Sequence, residues 1–365
     1  MAKKTEDRYI TLDNGILAKA TFPVVVSASR STDIPAFYSD WFFNRLNKGY
    51  SAWTNPFNGV KYYVSYEDTK FIVFWSKNPR PLLNHLDTLK EKGIACYIQY
   101  TLNDYELEKL ERGVRPIEER IETFKLLVDK LGKGAVVWRF DPLILTDTIG
   151  INDLLHKIEY IGDQLLGYTE KLVFSFADIA SYRKVKANLE KNNINYREWD
   201  DTTMLEFASK LAELNKKWNY ELATCGEKID IEPFGIKHNH CVDDRLIVRF
   251  GYRSSELMNF LGADFLHNQS HQQGSLFDLF DTDTANSIPD DAILLDNGEY
   301  AIINKNNKDK GQREFCGCMK SKDIGEYNTC PHLCEYCYAN TSKDAAVRNW
   351  QQHKKNPLSE TIVGK

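Results

Sequence analysis

The first two-thirds of the chain alternate between short apolar runs and stretches in which apolar residues recur every three or four positions. The apolar runs are nearly continuous, and several are rich in β-branched or aromatic residues. Strands buried on both faces of a parallel sheet have this pattern. We therefore predict strands over Val24–Ala28, Phe71–Trp75, Ala95–Tyr100, Ala135–Arg139, Lys171–Phe176, Tyr220–Thr224 and Arg245–Phe250.

The stretches between these runs have the spacing of amphipathic helices. One carries Leu82, Leu86 and Leu89, the next runs from Ile117 to Leu131 behind Pro116, a third carries Leu154, Leu155, Ile158 and Ile161, and a fourth runs from Leu205 to Leu214 behind the capping candidates Thr202 and Thr203. Strand–helix repetition implies right-handed βαβ units around a parallel sheet. Seven or eight units favour an α/β fold of the TIM-like (β/α) type, as a barrel or a partial barrel. No glycine-rich dinucleotide fingerprint follows the first strand.

The pattern changes in the last third of the chain. Residues 1–255 form the predicted barrel domain, and residues 256–310 form a predicted linker, polar between Asn268 and Asp291. Two short apolar runs, Ile293–Leu295 and Tyr300–Ile303, flank an Asp-Asn-Gly turn and predict a β-hairpin within that linker. Residues 311–365 form a cysteine-rich segment, which we expect to pack on the barrel mouth.

Composition narrows the class of protein. The chain is 42% hydrophobic, which predicts a globular fold. Its formal net charge of −5 argues against a protein that binds its partners through overall positive charge. A lysine-rich patch between Lys305 and Lys322 leaves nucleic-acid contact as a minority interpretation. The N-terminus has no signal-peptide pattern, and no apolar run reaches the roughly 20 residues that cross a bilayer. We therefore expect a cytoplasmic protein without membrane contact, in which clustered thiols serve as metal ligands rather than disulfides.

Three of the eight cysteines form a C-x3-C-x2-C motif, Cys330, Cys334 and Cys337. Three thiolates can hold three irons of a 4Fe-4S cluster and leave the fourth iron open to a ligand. The alternative is a structural zinc ion, which requires four ligands in closed tetrahedral geometry and could recruit His332. Spacing alone favours the iron–sulfur interpretation, because zinc ligands usually come as two cysteine pairs.

A second set of cysteines has a suggestive context. Cys225 ends a predicted strand, Cys241 follows His238 and His240, and Cys316 and Cys318 form a C-x-C pair. Four thiolates suffice for a second 4Fe-4S cluster or a structural zinc, with the two histidines as competing ligands. The alternative is that Cys225 and Cys241 are buried small hydrophobes. Cys96, inside an apolar strand, is predicted to be core.

Polar residues recur where the predicted strands end, which is where (β/α) barrels bind ligands. They are Ser29, Arg30, Asp33, Asn55, Ser76, Lys77, Asn78, Thr101, Arg139, Asp141, Ser175, Asp178 and Glu227. Arg30, Lys77 and Arg139 could hold a carboxylate or a phosphate. Arg139 could equally pair with Asp141 and brace the rim.

The stretch Cys330-Pro-His-Leu-Cys334-Glu-Tyr-Cys337-Tyr-Ala-Asn resembles the cluster loop of radical S-adenosylmethionine enzymes, best in their spore photoproduct lyase-like branch. Ser76-Lys77-Asn78-Pro resembles the branch's "TKNP" strand end, and Arg139-Phe-Asp141-Pro its "R-x-DP" strand end. The resemblance implies cofactor contacts by these residues and by Tyr336, which occupies the position of an aromatic residue that lies against adenine. The whole chain also resembles an uncharacterised bacterial family.

The resemblance departs from the branch in two respects. The cluster loop of such enzymes follows the first barrel strand, whereas here it lies near the C-terminus, which suggests a circular permutation. The "GGE" element that grips the methionine amine in many relatives is not evident.

The resemblance implies an enzyme that reduces S-adenosylmethionine with a 4Fe-4S cluster and generates a 5′-deoxyadenosyl radical. It would need a flavodoxin- or ferredoxin-type electron donor or reductase, and it hints at a substrate related to nucleic acid. Two alternatives remain: a zinc-stabilised binding module, and a barrel hydrolase that uses Asp33, Asp141 and Asp178 with structural cysteines.

Overall fold

The structure is a computed structural model that describes residues 7–55, 58–266, 288–312 and 315–364. Most of the predicted polar stretch from Asn268 to Asp291 lies outside these residues, as does one residue of the lysine-rich patch, Arg313.

These residues form strands that group into one large sheet and three small ones. In chain order the strands are β1 (Tyr9–Thr11), β2 (Leu17–Thr21), β3 (Val25–Ala28), β4 (Tyr50–Thr54), β5 (Lys61–Ser65), β6 (Phe71–Ser76), β7 (Ala95–Thr101), β8 (Val136–Leu143), β9 (Leu145–Thr146), β10 (Lys171–Phe176), β11 (Tyr196–Arg197), β12 (Glu221–Thr224), β13 (Ile236–His238), β14 (Ala263–Leu266), β15 (Ile293–Leu294), β16 (Tyr300–Ile303) and β17 (Lys322–Asp323).

The α-helices follow most of the strands of the large sheet. They are α1 (Ile34–Phe37), α2 (Ser39–Lys48), α3 (Leu86–Glu91), α4 (Ile117–Leu131), α5 (Ile151–Gln164), α6 (Arg183–Lys191), α7 (Asp201–Asn215), α8 (Asp244–Gly251), α9 (Ser255–Leu261) and α10 (Lys343–Lys355). Two 3-10 turns cover Arg80–Asn84 and Glu232–Phe234.

The large sheet has eight strands in the order β13-β12-β10-β8-β7-β6-β3-β17, and every neighbouring pair is parallel. From β3 to β13 the strands follow the order of the chain, so each crossover leads to the adjacent strand. The carboxyl ends of all eight strands consequently lie along one edge, which we call the carboxyl edge. The predicted α/β class is confirmed.

A closed TIM barrel is not found in the described residues, because the outermost strands β13 and β17 do not pair with each other. These two strands have only three and two residues, so they offer few hydrogen bonds for closure. Helix α8 packs against β7 on one face of the sheet, where Ile247 and Val248 share an apolar cluster with Phe71 and Tyr97. The opposite face carries the larger core, in which Phe74, Ile98 and Trp138 are fully buried among helices.

Six of the seven predicted strands match β3, β6, β7, β8, β10 and β12. The seventh prediction, Arg245–Phe250, is wrong, because these residues lie in helix α8. The run is short and apolar, and such runs do not distinguish a strand from a buried helix by periodicity alone. Asp243 starts the helix by accepting hydrogen bonds from the backbone N–H groups of Arg245 and Leu246, at 2.9 and 3.4 Å.

The helix predictions match α4 over Ile117–Leu131 and overlap α5 and α7. The cap of α7 is Asp200, with Thr203 returning the hydrogen bond, rather than Thr202. The predicted helix around Leu86 divides into a 3-10 turn and α3 at His85. The predicted hairpin is confirmed, since β15 and β16 pair antiparallel and β14 extends their sheet. None of the helices that the structure describes is long and apolar enough to span a bilayer.

Candidate metal-binding sites

The C-terminal segment supplies the last strand of the large sheet. Strand β17 pairs with β3 in parallel register, with Asp323 opposite Ser27. The Asp323 carboxylate accepts hydrogen bonds from the Ser29 hydroxyl at 2.9 Å, the Arg30 backbone N–H at 2.8 Å and the Gly325 N–H at 3.0 Å. The chain then turns directly into the residues Cys330–Cys337, which we call the cysteine loop. The loop therefore leaves from the carboxyl edge.

His332 anchors the cysteine loop to that edge. Its Nε2 lies 2.8 Å from the Asp33 carboxylate, and its Nδ1 lies 3.1 Å from the Gly113 carbonyl oxygen. Asp33 also accepts hydrogen bonds from the Ser76 hydroxyl and the Lys77 N–H, both at 2.7 Å, at the end of β6. Both ring nitrogens of His332 are thus hydrogen-bonded to oxygen, and the side chain is almost fully buried.

Gly113 is required by this contact. Its N–H donates to the His332 carbonyl at 2.9 Å, and a Cβ at position 113 would come within 2.6 Å of that same oxygen. Real Cβ atoms do not approach backbone oxygens so closely, so a larger residue here would push the cysteine loop away.

Tyr336 joins a buried polar network at the ends of β6, β7 and β8. Its hydroxyl contacts the Glu111 carboxylate and accepts hydrogen bonds from Lys77 Nζ at 2.9 Å and Asn103 Nδ2 at 3.1 Å. Lys77 Nζ also lies 2.7 Å from Glu111. Asn103 continues the network to Asp141, whose backbone N–H donates to the Asn103 side chain at 2.9 Å.

The electrostatics of this network keep both partners of the ion pair charged. Burial by itself would raise the pKa of the Glu111 carboxyl, but Lys77 and Arg120 outweigh burial and hold that pKa below its ordinary value. Burial would likewise lower the pKa of Lys77, but Glu111 and the Cys334 sulfur raise it. A fixed ammonium group therefore stands beside Cys334.

Glu335 fastens the other side of the loop. Its carboxylate is fully buried and lies within 3.1 Å of Arg112 and 2.8 Å of the Asn192 amide. Lys343, at the start of α10, also pairs with it. The backbone N–H of Glu335 donates to the Leu110 carbonyl at 2.9 Å. The loop is thereby held from three elements at once.

The three thiols of the loop are desolvated and interact with one another. Burial raises the pKa of Cys330, Cys334 and Cys337, and the mutual repulsion of their charged forms adds to the effect at Cys330 and Cys334. Backbone N–H groups oppose the shift at two sulfurs, those of His332 and Asp33 at Cys330, and those of Asn340 and Ala339 at Cys337. Burial therefore disfavours the thiolate form of all three cysteines.

The second set of cysteines also comes together, and we call Cys225, Cys241, Cys316 and Cys318 the four-cysteine set. The sulfurs of Cys225 and Cys241 are 3.1 Å apart. The Val242 N–H donates to the Cys318 sulfur at 3.4 Å, and the neighbouring thiols of Cys241 and Cys316 raise the pKa of Cys318. Cys225 follows β12, Cys241 precedes α8, and the C-x-C pair comes from the C-terminal segment.

Arg139, predicted to contact the cofactor, lies at the four-cysteine set. Its Nη1 is 3.3 Å from the Cys241 sulfur and 3.1 Å from the Gln99 amide oxygen, and its Nη2 pairs with Asp141. Hydrogen bonds from Cys225 and Cys318, followed by the charge of Arg139, hold the pKa of Cys241 well below its ordinary value. A hydrogen bond from Cys318 likewise lowers the pKa of Cys316 to about 6.

The structure therefore divides the predicted site residues into two groups. Ser76 and Lys77 contact residues that hold the cysteine loop, and Tyr336 lies within the loop. The Asn78 N–H donates to the Ser76 hydroxyl, at 2.9 Å. Arg139 and Asp141 stand beside the four-cysteine set, where they form the rim-bracing pair. Sequence reasoning missed Glu111, Asn103 and Asp323, because each lies in a loop or a two-residue strand without a periodic signal.

The three aspartates of the hydrolase alternative have separate partners. Asp33 binds His332 and Ser76, Asp141 binds Arg139 and Ser175, and Asp178 accepts a hydrogen bond from the Ser181 N–H at 3.2 Å. Their contacts show no shared site.

A further group of potential ligands lies next to the four-cysteine set. Ligand atoms of His240, Asp243 and Asp244 all lie within 4.8 Å of one another. The Asp243 carboxylate already caps α8, and the Asn307 amide lies 3.2 Å from Asp244. His240 and Asp244 also line a cavity of 410 Å³, together with Phe315 and Gly317. His238 stacks on Phe315 at this cavity, with ring centroids 6.3 Å apart.

Comparison with known proteins places the chain in a family. Residues 25–339 match the family described as Domain of unknown function (DUF1848). The chain belongs to that family. No curated protein and no solved structure matches it. The matched region begins at β3 and ends just after Cys337, so it contains the whole large sheet and both sets of cysteines.

Proposed function

We propose that this member of the DUF1848 family is a radical S-adenosylmethionine-type enzyme built on a partial (β/α) barrel. Cys330, Cys334 and Cys337 would hold a 4Fe-4S cluster at the carboxyl edge. The observation that carries the proposal is the docking of the cysteine loop onto the ends of β3, β6 and β7, the edge at which parallel α/β sheets bind their ligands.

The donor set favours an iron–sulfur cluster over a closed zinc site. Three thiols lie on one short loop, and His332, the fourth ligand that a zinc ion would recruit, has each ring nitrogen hydrogen-bonded to an oxygen atom. A three-ligand site leaves one metal position open, which suits a cluster that binds a small molecule. When bound, the cluster would supply the electron that cleaves S-adenosylmethionine reductively.

The topology supports the permutation that the resemblance requires. Strand β17 lies beside β3 in parallel, the cysteine loop follows β17, and α10 follows the loop. The order in space is therefore strand, cluster loop, helix and next strand, although the first three come from the C-terminal end. A permuted chain can present the loop at the same edge, because that edge collects the carboxyl ends of all the strands.

The side chains of this protein would position and insulate the site. Lys77 places a positive charge beside Cys334, which favours the deprotonated sulfur that a metal binds. Tyr336 is held by Lys77, Asn103 and Glu111, so its ring is fixed next to the third cysteine. His332 and Glu335 fix the loop by buried hydrogen bonds, which limits the entry of water between the loop and the carboxyl edge.

Anaerobic purification tests the proposal, with iron, sulfide and zinc measured in the wild-type chain, in Cys334→Ala and in the control Cys96→Ala. Cys334 and Cys96 are both buried cysteines, but Cys96 is the second residue of β7, and burial alone raises its pKa. We expect Cys334→Ala to contain roughly four fewer irons and Cys96→Ala to keep them. With dithionite, the wild-type and control chains should convert S-adenosylmethionine to 5′-deoxyadenosine, and Cys334→Ala should not.

Two results would contradict the proposal. A colourless wild-type chain that holds zinc at the cysteine loop and loses it in Cys334→Ala would establish the zinc-stabilised module. Formation of 5′-deoxyadenosine at the same rate in Cys334→Ala and the wild type would separate the activity from the loop.

A further inference from the structure

We infer that the four-cysteine set is a second metal centre, which binds a zinc ion or an iron–sulfur cluster and fastens the C-terminal segment to the sheet. The inference does not rest on the proposed radical chemistry, because its four ligands are distinct from the cysteine loop. A zinc ion and an iron–sulfur cluster would both be bound by thiolates, and metal analysis distinguishes them.

Three separate parts of the chain converge on this set. Cys225 comes from the end of β12, Cys241 from the turn before α8, and Cys316 and Cys318 from the C-terminal segment. Sulfurs that share one zinc ion at about 2.3 Å lie about 3.8 Å apart, so the 3.1 Å between Cys225 and Cys241 needs only a small outward adjustment. A disulfide would require about 2.05 Å, and the structure keeps both of these cysteines free.

Gly317 allows the convergence. A Cβ on this residue would lie 2.1 Å from the ring of His240, so any other residue would require that ring to move for the C-x-C pair to keep its approach to the turn that carries Cys241. Backbone hydrogen bonds then hold the approach, since the Met319 N–H donates to the Val242 carbonyl at 2.9 Å. The residue between the two cysteines is therefore dictated by packing at the set.

The surrounding charges suit a negatively charged thiolate centre. Four thiolates around one zinc ion, or around a cluster, leave net negative charge in a buried place, which needs a compensating cation. Arg139 contacts the Cys241 sulfur from within the sheet, and Arg30 lies close enough to influence Cys316. One Arg30 guanidinium nitrogen, Nη2, is buried without a hydrogen-bond partner. Asn239 also donates from its amide to the Cys241 sulfur, at 3.2 Å.

A metal has a route to this centre. Cys241, Cys316 and Cys318 are buried, but Gly317, between two of the ligands, lines the 410 Å³ cavity. Cys225 is partly exposed on its own side. A bound metal would crosslink three chain segments. It would thereby fix the C-terminal segment, which contains β17 and the cysteine loop.

The test uses the triple variant Cys330→Ala, Cys334→Ala and Cys337→Ala, in which only the second centre can remain. We expect this chain, purified without oxygen, to retain about one zinc, or iron and sulfide in equal numbers. Adding Cys225→Ala should remove that metal, whereas adding the matched buried cysteine Cys96→Ala should leave it. Zinc and iron contents identify which metal the centre takes, and circular dichroism checks that each variant is folded.

Should the triple variant fail to fold, the pair Cys225→Ala and Cys96→Ala in the otherwise wild-type chain gives the same comparison. Cys225 suits this purpose because it is the most exposed of the four ligands. Titration of the metal-free protein with cobalt(II) provides an independent measurement, because tetrahedral thiolate ligation gives intense charge-transfer bands. Cys225→Ala should abolish these bands, and Cys96→Ala should keep them. A folded triple variant without metal, carrying free thiols or a Cys225–Cys241 disulfide by mass spectrometry, would overturn the inference.

Discussion

The contact between Gly113 and the cysteine loop makes a quantitative prediction about how the loop is held. In Gly113→Ala, the new Cβ would lie 2.6 Å from the His332 carbonyl oxygen and 2.8 Å from that of Pro331. Backbone oxygens cannot move aside as a flexible side chain does, so the clash costs about 1–3 kcal/mol if the loop stays.

Escape from the clash also has a cost. The loop would give up the hydrogen bond from Gly113 N–H to the His332 oxygen at 2.9 Å and the contact of His332 Nδ1 with the Gly113 oxygen at 3.1 Å. At about 1 kcal/mol each, these contacts make escape about as costly as the clash, so the expected loss of docking free energy is about 1–3 kcal/mol. Such a loss increases the population of the undocked loop about 5- to 150-fold.

Alkylation of Cys334 in the metal-free protein measures that population. Cys334 is 6% exposed while the loop is docked, so its reaction with iodoacetamide requires opening. We expect the alkylation rate of Cys334 in Gly113→Ala to rise by the same factor as the undocked population, as measured by mass spectrometry of the peptide that contains Cys334.

The control is Gly150→Ala. Gly150 also lacks a positive φ, and a Cβ there would meet nothing closer than 3.5 Å, far along the chain from the loop. Its alkylation rate at Cys334 should equal that of the wild type. Equal rates in Gly113→Ala and Gly150→Ala, with both proteins folded, would refute the docked arrangement of the loop.

Two further predictions concern the buried network and the last strand. Glu111→Gln leaves Lys77 buried without its carboxylate and should lower the free energy of unfolding by about 3–5 kcal/mol. Because the folded-state pKa of Glu111 lies below its ordinary 4.5, its contribution is present above pH 4.5 and is lost as the pH falls through the lower value. Urea unfolding on both sides of pH 4.5 should therefore show the difference between variant and wild type shrinking in acid; a pH-independent difference would contradict the assigned charge state. Asp323→Ala removes the acceptor for Ser29, Arg30 and Gly325, and losing a charged acceptor should cost about 1.5–3 kcal/mol of stability. The variant should also speed hydrogen exchange of the Ile324 amide, whose N–H donates to the Ser27 carbonyl oxygen at 3.1 Å. Unchanged exchange in peptides that cover β17 would show that this strand does not depend on Asp323.

Local pattern was sufficient for much of the fold. Six strands of the large sheet are continuous apolar runs, because parallel strands are covered on both faces, and helix α4 was predicted over its observed residues. The same logic failed at Arg245–Phe250, where an apolar run of strand-like composition forms α8. Its conformation depends on the face of the sheet that it covers, and the residues of the run do not specify that packing.

The sequence by itself determined which residues carry the chemistry: the spacing of Cys330, Cys334 and Cys337, and the membership of the four-cysteine set. The first is a property of short-range order, and the second was inferred from residue type. Only the tertiary structure decided that β17 pairs with β3, almost 300 residues earlier in the chain, and that Lys77 and Glu111 meet Tyr336 of the cysteine loop. Such contacts depend on how the strands are ordered in the sheet, because that order brings loops distant in sequence to a common edge. The physical reason is that short-range pattern specifies burial and periodicity, whereas the positions of charged partners follow from packing between elements.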